Sequence, residues 1–139
     1  MKLEKTVIER NTSAATDILD LSSDVQAFVA ACGLDSGWVM LAIPGSTAAL
    51  TTIEFESGAV NDLKRAIDRM APQGPEYEHD RRWGDGNGYS HVRAALMGPS
   101  LVLPFADGQI DTGTWQQIVL CDFDNRPRRR RIHVQVLGD

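Results

Sequence analysis

Gly113-Thr114-Trp115-Gln116 leads through Gln117 into the apolar run Ile118-Val119-Leu120-Cys121 and then into Asp122-Phe123-Asp124. A glycine turn that opens onto such a run reads as a strand, placed here from Trp115 to Phe123. Downstream, Arg129 to Leu137 alternates cleanly, with Ile132, Val134 and Val136 on one face and Arg131, His133 and Gln135 on the other. That is the pattern of a strand with one wet face. Upstream, Ser100 to Phe105 is a third strand. It follows a short helix, Ser90 to Met97, that Gly98-Pro99 closes.

Further toward the N-terminus, Pro72 to Gly88 is polar and rich in Gly and Pro, and reads as one long loop of the kind that often carries function. Before it a helix runs from about Gly58 to Met70, with Val60, Leu63, Ile67 and Met70 as its buried stripe. Ala49 to Phe55 is a strand. Gly37 to Pro44 is apolar on both alternating faces, which suits a central strand covered on both sides. Ser23 and Gln26 form a capping box for a helix carrying Val25, Phe28, Val29 and Cys32, ended by Gly33. Leu3 to Glu9 and Ala14 to Leu19 read as two more strands. The expectation is one domain over residues 1–139, of α+β class, with mostly antiparallel sheets and about three helices.

Charged residues make up 24% of the chain, hydrophobic residues 42%, and the net charge is −5. An acidic surface argues against nucleic acid and anionic membrane as partners. No apolar run reaches the roughly 18 residues of a bilayer span, and Met1 to Lys5 opens no secretory leader. Cys32 and Cys121 each sit in apolar surroundings and read as buried free thiols. These features point to the cytoplasm.

Three histidines are available for chemistry. His133 falls on the wet face of the last strand. His79 lies in the polar loop, and His91 opens the helix after it. Their spacing matches no metal motif, since the chain has neither His-Glu-x-x-His nor Cys-x-x-Cys, and no His-x-His pair on a strand of the cupin kind. Pro44-Gly45-Ser46-Thr47 reads either as a turn ending a strand or as an anion cradle of backbone N–H groups and two hydroxyls. Glu54 is either a base or ligand, or a rim carboxylate paired with an arginine. Arg126-Pro127-Arg128-Arg129-Arg130-Arg131 places five arginines in six positions. With no interleaved aromatics, they read as surface ion pairs plus one or two phosphate hooks, Arg128 or Arg130.

Asn87-Gly88-Tyr89-Ser90-His91, Leu96-Met97-Gly98-Pro99-Ser100 and the Gly113-Thr114-Trp115-Gln116 segment together resemble the YjbQ family, described as secondary thiamine-phosphate synthase enzymes. The resemblance spans roughly Gly37 to Gly138 and is strongest from His79 onward. It implies an α+β homotrimer with pockets near subunit contacts. It also implies weak thiamine-phosphate synthase activity on small phosphorylated ligands, helped by a divalent metal, zinc or magnesium. His79 and His91 match family histidines and carry the implied catalytic and metal-binding roles, with Asn87 orienting them. Glu54 matches a family carboxylate. Gly45, Ser46, Thr47, Arg128 and Arg130 are the implied anion binders. Thr114 and Gln116 either face a pocket walled by Trp115, or hold backbone together while Trp115 anchors the core. The chain departs from the family at Gly45, where the family usually has a histidine. The alternative expectation is therefore a noncatalytic metal- or phosphate-binding trimer that has lost that first histidine.

Overall fold

The apolar run becomes β7 (Gln117–Asp122). In the computed structural model, which describes residues 1–139, β7 is the middle strand of a three-stranded sheet between β2 (Asp17–Asp20) and β4 (Ala48–Ile53). Both pairings are antiparallel, with Cys121 opposite Ile18 on one side and Ala49 on the other. Its apolar residues do not alternate with polar ones because both faces are covered. Ile118 and Leu120 enter the larger core, while Val119 and Cys121 enter a second, smaller one.

The larger sheet runs in the order β1 (Lys2–Thr12), β8 (Arg128–Gly138), β3 (Ser36–Ala42), β5 (Ser100–Ala106), β6 (Gln109–Ile110), all antiparallel. Its inward residues Val39, Leu41, Phe105, Ile132, Val134 and Val136 meet Val25 and Val29 of α1 (Ser22–Ala31) and Leu50 of β4 in the larger core. The second core lies on the far face of the smaller sheet. There α2 (Ser57–Met70) contributes Ile67, and α4 (Gly88–Met97) contributes Ala94. The fold is α+β.

Several expectations change. Pro72 to Gly88 is not all loop, because α3 (Glu78–Trp83) forms within it. That helix buries no residue, so it leaves no apolar periodicity to read, and Gly84 at φ +68° ends it. The helices thus number four. The capping box at Ser23 does not form: Leu21 is the N-cap, with no side-chain cap bond. Gln26 reaches across instead, donating to Gly108 O at 2.8 Å and accepting from Ile110 N at 3.0 Å. Strand β2 begins only at Asp17, after Thr16 takes φ +68°, a conformation rare for a β-branched residue. The central strand β3 is covered on one face only, since Val39 and Leu41 are buried while Trp38 is 40% exposed. Met70, placed in the buried stripe of α2, is exposed. Both cysteines are free.

The pairing of β4 with β7 positions the site. Ala48 stands opposite Asp122 at one end of the ladder, and Ile53 opposite Gln117 at the other. At about 3.3 Å per residue, the ends lie roughly 17 Å apart.

Candidate functional site

At the Ala48 end, the segment Gly45–Thr47 enters β4, Asp122 to Asp124 leave β7, β8 starts and α4 begins. Gly88, the first residue of α4, is packed against α3's entry. A Cβ there would meet Tyr77 Cβ at 2.5 Å. Its N–H donates to Asp80 Oδ1 at 2.8 Å, tying the two helices together. Ser90 Oγ donates to Phe123 O at 2.5 Å and pins α4 to the exit of β7.

This docking brings His79 to His91, with ring centroids 4.3 Å apart and planes tilted by 40°. His79 Nδ1 is sealed from solvent without a hydrogen-bond partner. It lies 3.5 Å from Asp80 Oδ1 and 3.4 Å from Asp85 Oδ1. One ligand atom from each of His79, Asp80 and Asp85 fits within 4.8 Å of the others. A buried nitrogen with no partner carries a desolvation cost. A cation shared with the two carboxylates would remove that cost.

A buried polar chain extends from this corner. The Asn87 carboxamide sits between Asp124 and Asp85. It donates to Asp124 Oδ1 at 3.4 Å or, turned over, to both Asp85 oxygens at 3.1 and 3.2 Å. The shorter pair favours the second arrangement, in which Asn87 orients Asp85 rather than a histidine. Asp124 accepts from Arg128 Nε at 2.6 Å, Asn125 N at 2.8 Å and Thr47 Oγ1 at 3.1 Å. Burial pushes its pKa up, but the Arg128 hydrogen bond and the Asn125 N–H outweigh that and hold it below the usual aspartate value. Thr47 Oγ1 in turn accepts from Arg130 Nη2 at 2.8 Å. Arg130 grips Asp122 through Nε at 2.6 Å and Nη2 at 2.8 Å, and Asp122 also accepts from Thr12 Oγ1 at 2.7 Å.

The arginine run is sorted by strand alternation. Arg128 and Arg130 turn inward to Asp124 and Asp122, while Arg129 and Arg131 turn outward to Glu9 at 2.6 and 3.1 Å. A cavity of about 240 Å³ opens beside this network, lined by Gly45, Ser46, Ala48, His91, Ala95 and Pro99 among others. Gly45 adopts φ +109°, and a Cβ on it would stand 3.4 Å from Arg130 Nη1.

His79, His91, Asn87, Gly45, Ser46, Thr47, Arg128 and Arg130 therefore gather at one end. Three candidates do not. Glu54, Thr114 and Gln116 lie at the Gln117 end of the ladder, so within one chain Glu54 cannot complete a shell around the histidines. Gln116 spends its amide on the turn, accepting from Gly113 N at 3.0 Å and donating to Thr52 Oγ1 at 3.2 Å. Trp115, 73% exposed, does not anchor the core; together with Thr114 and Glu54 it lines a separate cavity at this end, away from His91. Thr47 is also reassigned: its hydroxyl is occupied between Arg130 and Asp124, and its role is to join them.

Sequence reasoning missed Asp80, Asp85, Asp122, Asp124 and Arg93. The i, i+2 spacing of Asp122 and Asp124, set against that of Arg128 and Arg130, was a legible signal, since residues two apart share a strand face. Arg93 is 1% exposed and donates to Ala71 O, Thr16 Oγ1 and Asp68 Oδ1. It fixes α4, and so His91, against α2 and the residue that enters β2.

The protein-family model described as "UPF0047 protein YjbQ-like" matches residues 6–139. A UPF0047 protein of Archaeoglobus fulgidus is 35% identical over 126 residues, covering 91% of this chain and 95% of that one. The UPF0047 protein YugU of Bacillus subtilis is 30% identical over 132 residues, covering 94% and 97%. A YbjQ-like protein of unknown function from Sulfolobus solfataricus superposes with a TM-score of 0.88 at 26% identity, covering 99% of this chain and 100% of that one. A hypothetical protein of Aeropyrum pernix reaches 0.90 at 26% identity, covering 98% and 99%. With a family model matched over nearly its whole length and relatives at this level of identity, the chain belongs to the UPF0047 YjbQ-like family.

Proposed function

We propose that the cavity beside His91 binds a phosphorylated small molecule, with a divalent metal ion held by His79, Asp80 and Asp85. The observation that carries this reading is His79 Nδ1, sealed, unpartnered and within 3.5 Å of two carboxylates. One imidazole and two carboxylates suit zinc better than magnesium, which prefers oxygen donors. When bound, the metal would neutralise charge on phosphate oxygens. The chain's own residues supply the rest: Asn87 orients Asp85, Gly45 and Ser46 leave room and polar groups for an anion, and His91 faces the ligand from the cavity wall.

The specific reaction is thiamine-phosphate formation. The bond from the pyrimidine's methylene carbon to pyrophosphate breaks, the thiazole nitrogen forms the new bond to that carbon, and pyrophosphate leaves with the electron pair. This demands stabilisation of an anionic leaving group, the task to which a metal and arginines are suited. The reading includes a homotrimer. Supporting it is the outer face of β3 and β5, where Trp38 and Val102 are 40% and 61% exposed.

The test is metal content by mass spectrometry on untagged protein, paired with the condensation assay and a mass by light scattering. Near-stoichiometric metal that His79→Ala removes, with turnover lost alongside it, supports the reading. Metal and phosphate binding without turnover would favour a noncatalytic binding protein. Absence of metal from the purified and the metal-reconstituted protein would overturn the metal site.

A further inference from the structure

Arg130 is one of two arginines whose side chains are at least nine-tenths buried, the other being Arg93. All three nitrogens of Arg93 are engaged. Arg130 differs. Nε and Nη2 are held by Asp122 and Thr47, and Nη1 donates to nothing in the chain. The one side-chain polar atom both sealed and unpartnered is His79 Nδ1, so Arg130 Nη1 is open to solvent.

What lies above Nη1 is Gly45. The position its Cβ would take is 3.4 Å from Nη1, and no atom of residue 45 fills it. Gly45 also lines the cavity that contains His91. The N–H groups of Gly45 and Ser46 have no acceptor in the chain. A fixed guanidinium N–H thus lies beside the space that glycine leaves empty, and the two unbonded amides belong to the same turn.

We propose that Gly45 and Arg130 form an oxyanion subsite for a terminal phosphate group, with one oxygen resting against the bare Cα of Gly45, in the path a side chain would take, and accepting from Nη1. The inference rests on the reading that this cavity takes a phosphorylated ligand, and it names the residues that select the phosphate. Asp122 and Thr47 prevent Arg130 from turning away, so the donor is positioned before the ligand arrives, and little ordering cost remains at binding. Charge-assisted hydrogen bonds of this kind are the strong ones. Gly45 is the specificity-determining position, because any side chain there both blocks the oxygen and strains a backbone at φ +109°.

The experiment is calorimetric titration of the metal-loaded protein with inorganic phosphate and with pyrophosphate, for the wild type, Gly45→Ala and Arg130→Lys. Circular dichroism and metal content are recorded for each. The expected result is binding to the wild type and a loss of about tenfold or more in Gly45→Ala, with fold and metal retained. Should Arg130→Lys unfold, the Arg130 guanidinium NMR signals of the wild type provide the second readout, and they shift on phosphate addition. Phosphate bound equally by wild type and Gly45→Ala, with unmoved Arg130 signals, would overturn the subsite and leave the wider reading standing. No binding of either anion by folded, metal-loaded wild type would overturn both.

Discussion

His79 and His91 stand ring against ring at 4.3 Å, although one belongs to the short helix α3 and the other to α4. Nothing local in either helix enforces this. It follows from Asp80, which takes the N–H of Gly88, and from Gly88, which lets the entry to α3 lie directly on it. The pair is therefore a product of tertiary docking. It brings His79 Nδ1 beside Asp80 and Asp85 at the same time.

Chelation should lower the thermal midpoint of the wild type and leave Asp85→Asn unmoved. A metal bound by the folded state alone adds about 2.7 kcal/mol at a hundredfold excess over its dissociation constant. Asp85 is half-exposed, so its own loss costs the fold little while removing one of three ligands. Differential scanning fluorimetry with and without EDTA reads this directly. An equal drop in both proteins would place the metal elsewhere.

Gly88→Ala should separate the histidines. The new Cβ would meet Tyr77 Cβ at 2.5 Å, and α3 has to move to admit it. Overpacking of this kind costs about 1–3 kcal/mol. Because α3 buries no residue, the displacement should stay local, with the fold retained and metal affinity reduced. Urea unfolding and metal titration on the same variant separate the two effects.

The alternating arginines predict an alternating mutational series. Arg129→Ala and Arg131→Ala remove exposed partners of Glu9 and should leave the denaturation midpoint within error. Arg130→Met should destabilise by about 3–5 kcal/mol, because it strands buried Asp122 without its cation. Arg128→Met should fall between, since Arg128 is 33% exposed while Asp124 is sealed. Chemical denaturation of the four variants gives the ranking, and a flat series would contradict the inward and outward sorting.

Acid should expose the same network. Asp124 has a folded pKa held below its ordinary 3.8, chiefly by Arg128 against the opposing effect of burial. A depressed carboxylate contributes stability that is complete above the unfolded pKa and is lost as pH falls through the folded one. Stability attributable to Asp124 should thus be constant above about pH 5 and should decline below 3.8. Unfolding titrations from pH 6 to pH 3 should show a shallower decline in Asp124→Asn, from a lower starting value.

Much of the fold was legible because β8, α1 and α2 carry their burial in their periodicity and β7 carries it in an unbroken apolar run. Ile132, Val134 and Val136 announce one face of β8, and Val25 and Val29 one side of α1. The site was legible only in part. Helix α3 shows no stripe because it packs through backbone and polar contacts. Gln26 reads as a cap because its spacing from Ser23 is right, yet a partner 82 residues away takes its amide. Glu54 sits one residue past β4, and Gly45 sits three before it. In sequence they flank the same strand, and that strand's length is what holds them apart.

The two cysteines test the double-sided burial of β7. Cys121 is fully buried in the core between the smaller sheet and the helices, and burial pushes its thiol pKa up to about 12. Cys32, at the end of α1, is half-buried, and its pKa is also raised by burial. At pH 8 in native buffer, Cys32 should react slowly with a disulfide reagent and Cys121 not at all, because the thiolate is the nucleophile and the buried thiol is inaccessible. In denaturant both should react. Labelling of Cys121 should then follow global opening, since no local fluctuation of α1 uncovers a strand held between β2 and β4. Peptide mass spectrometry after timed labelling decides the point, and native-state labelling of Cys121 as fast as Cys32 would mean that one face of β7 is open.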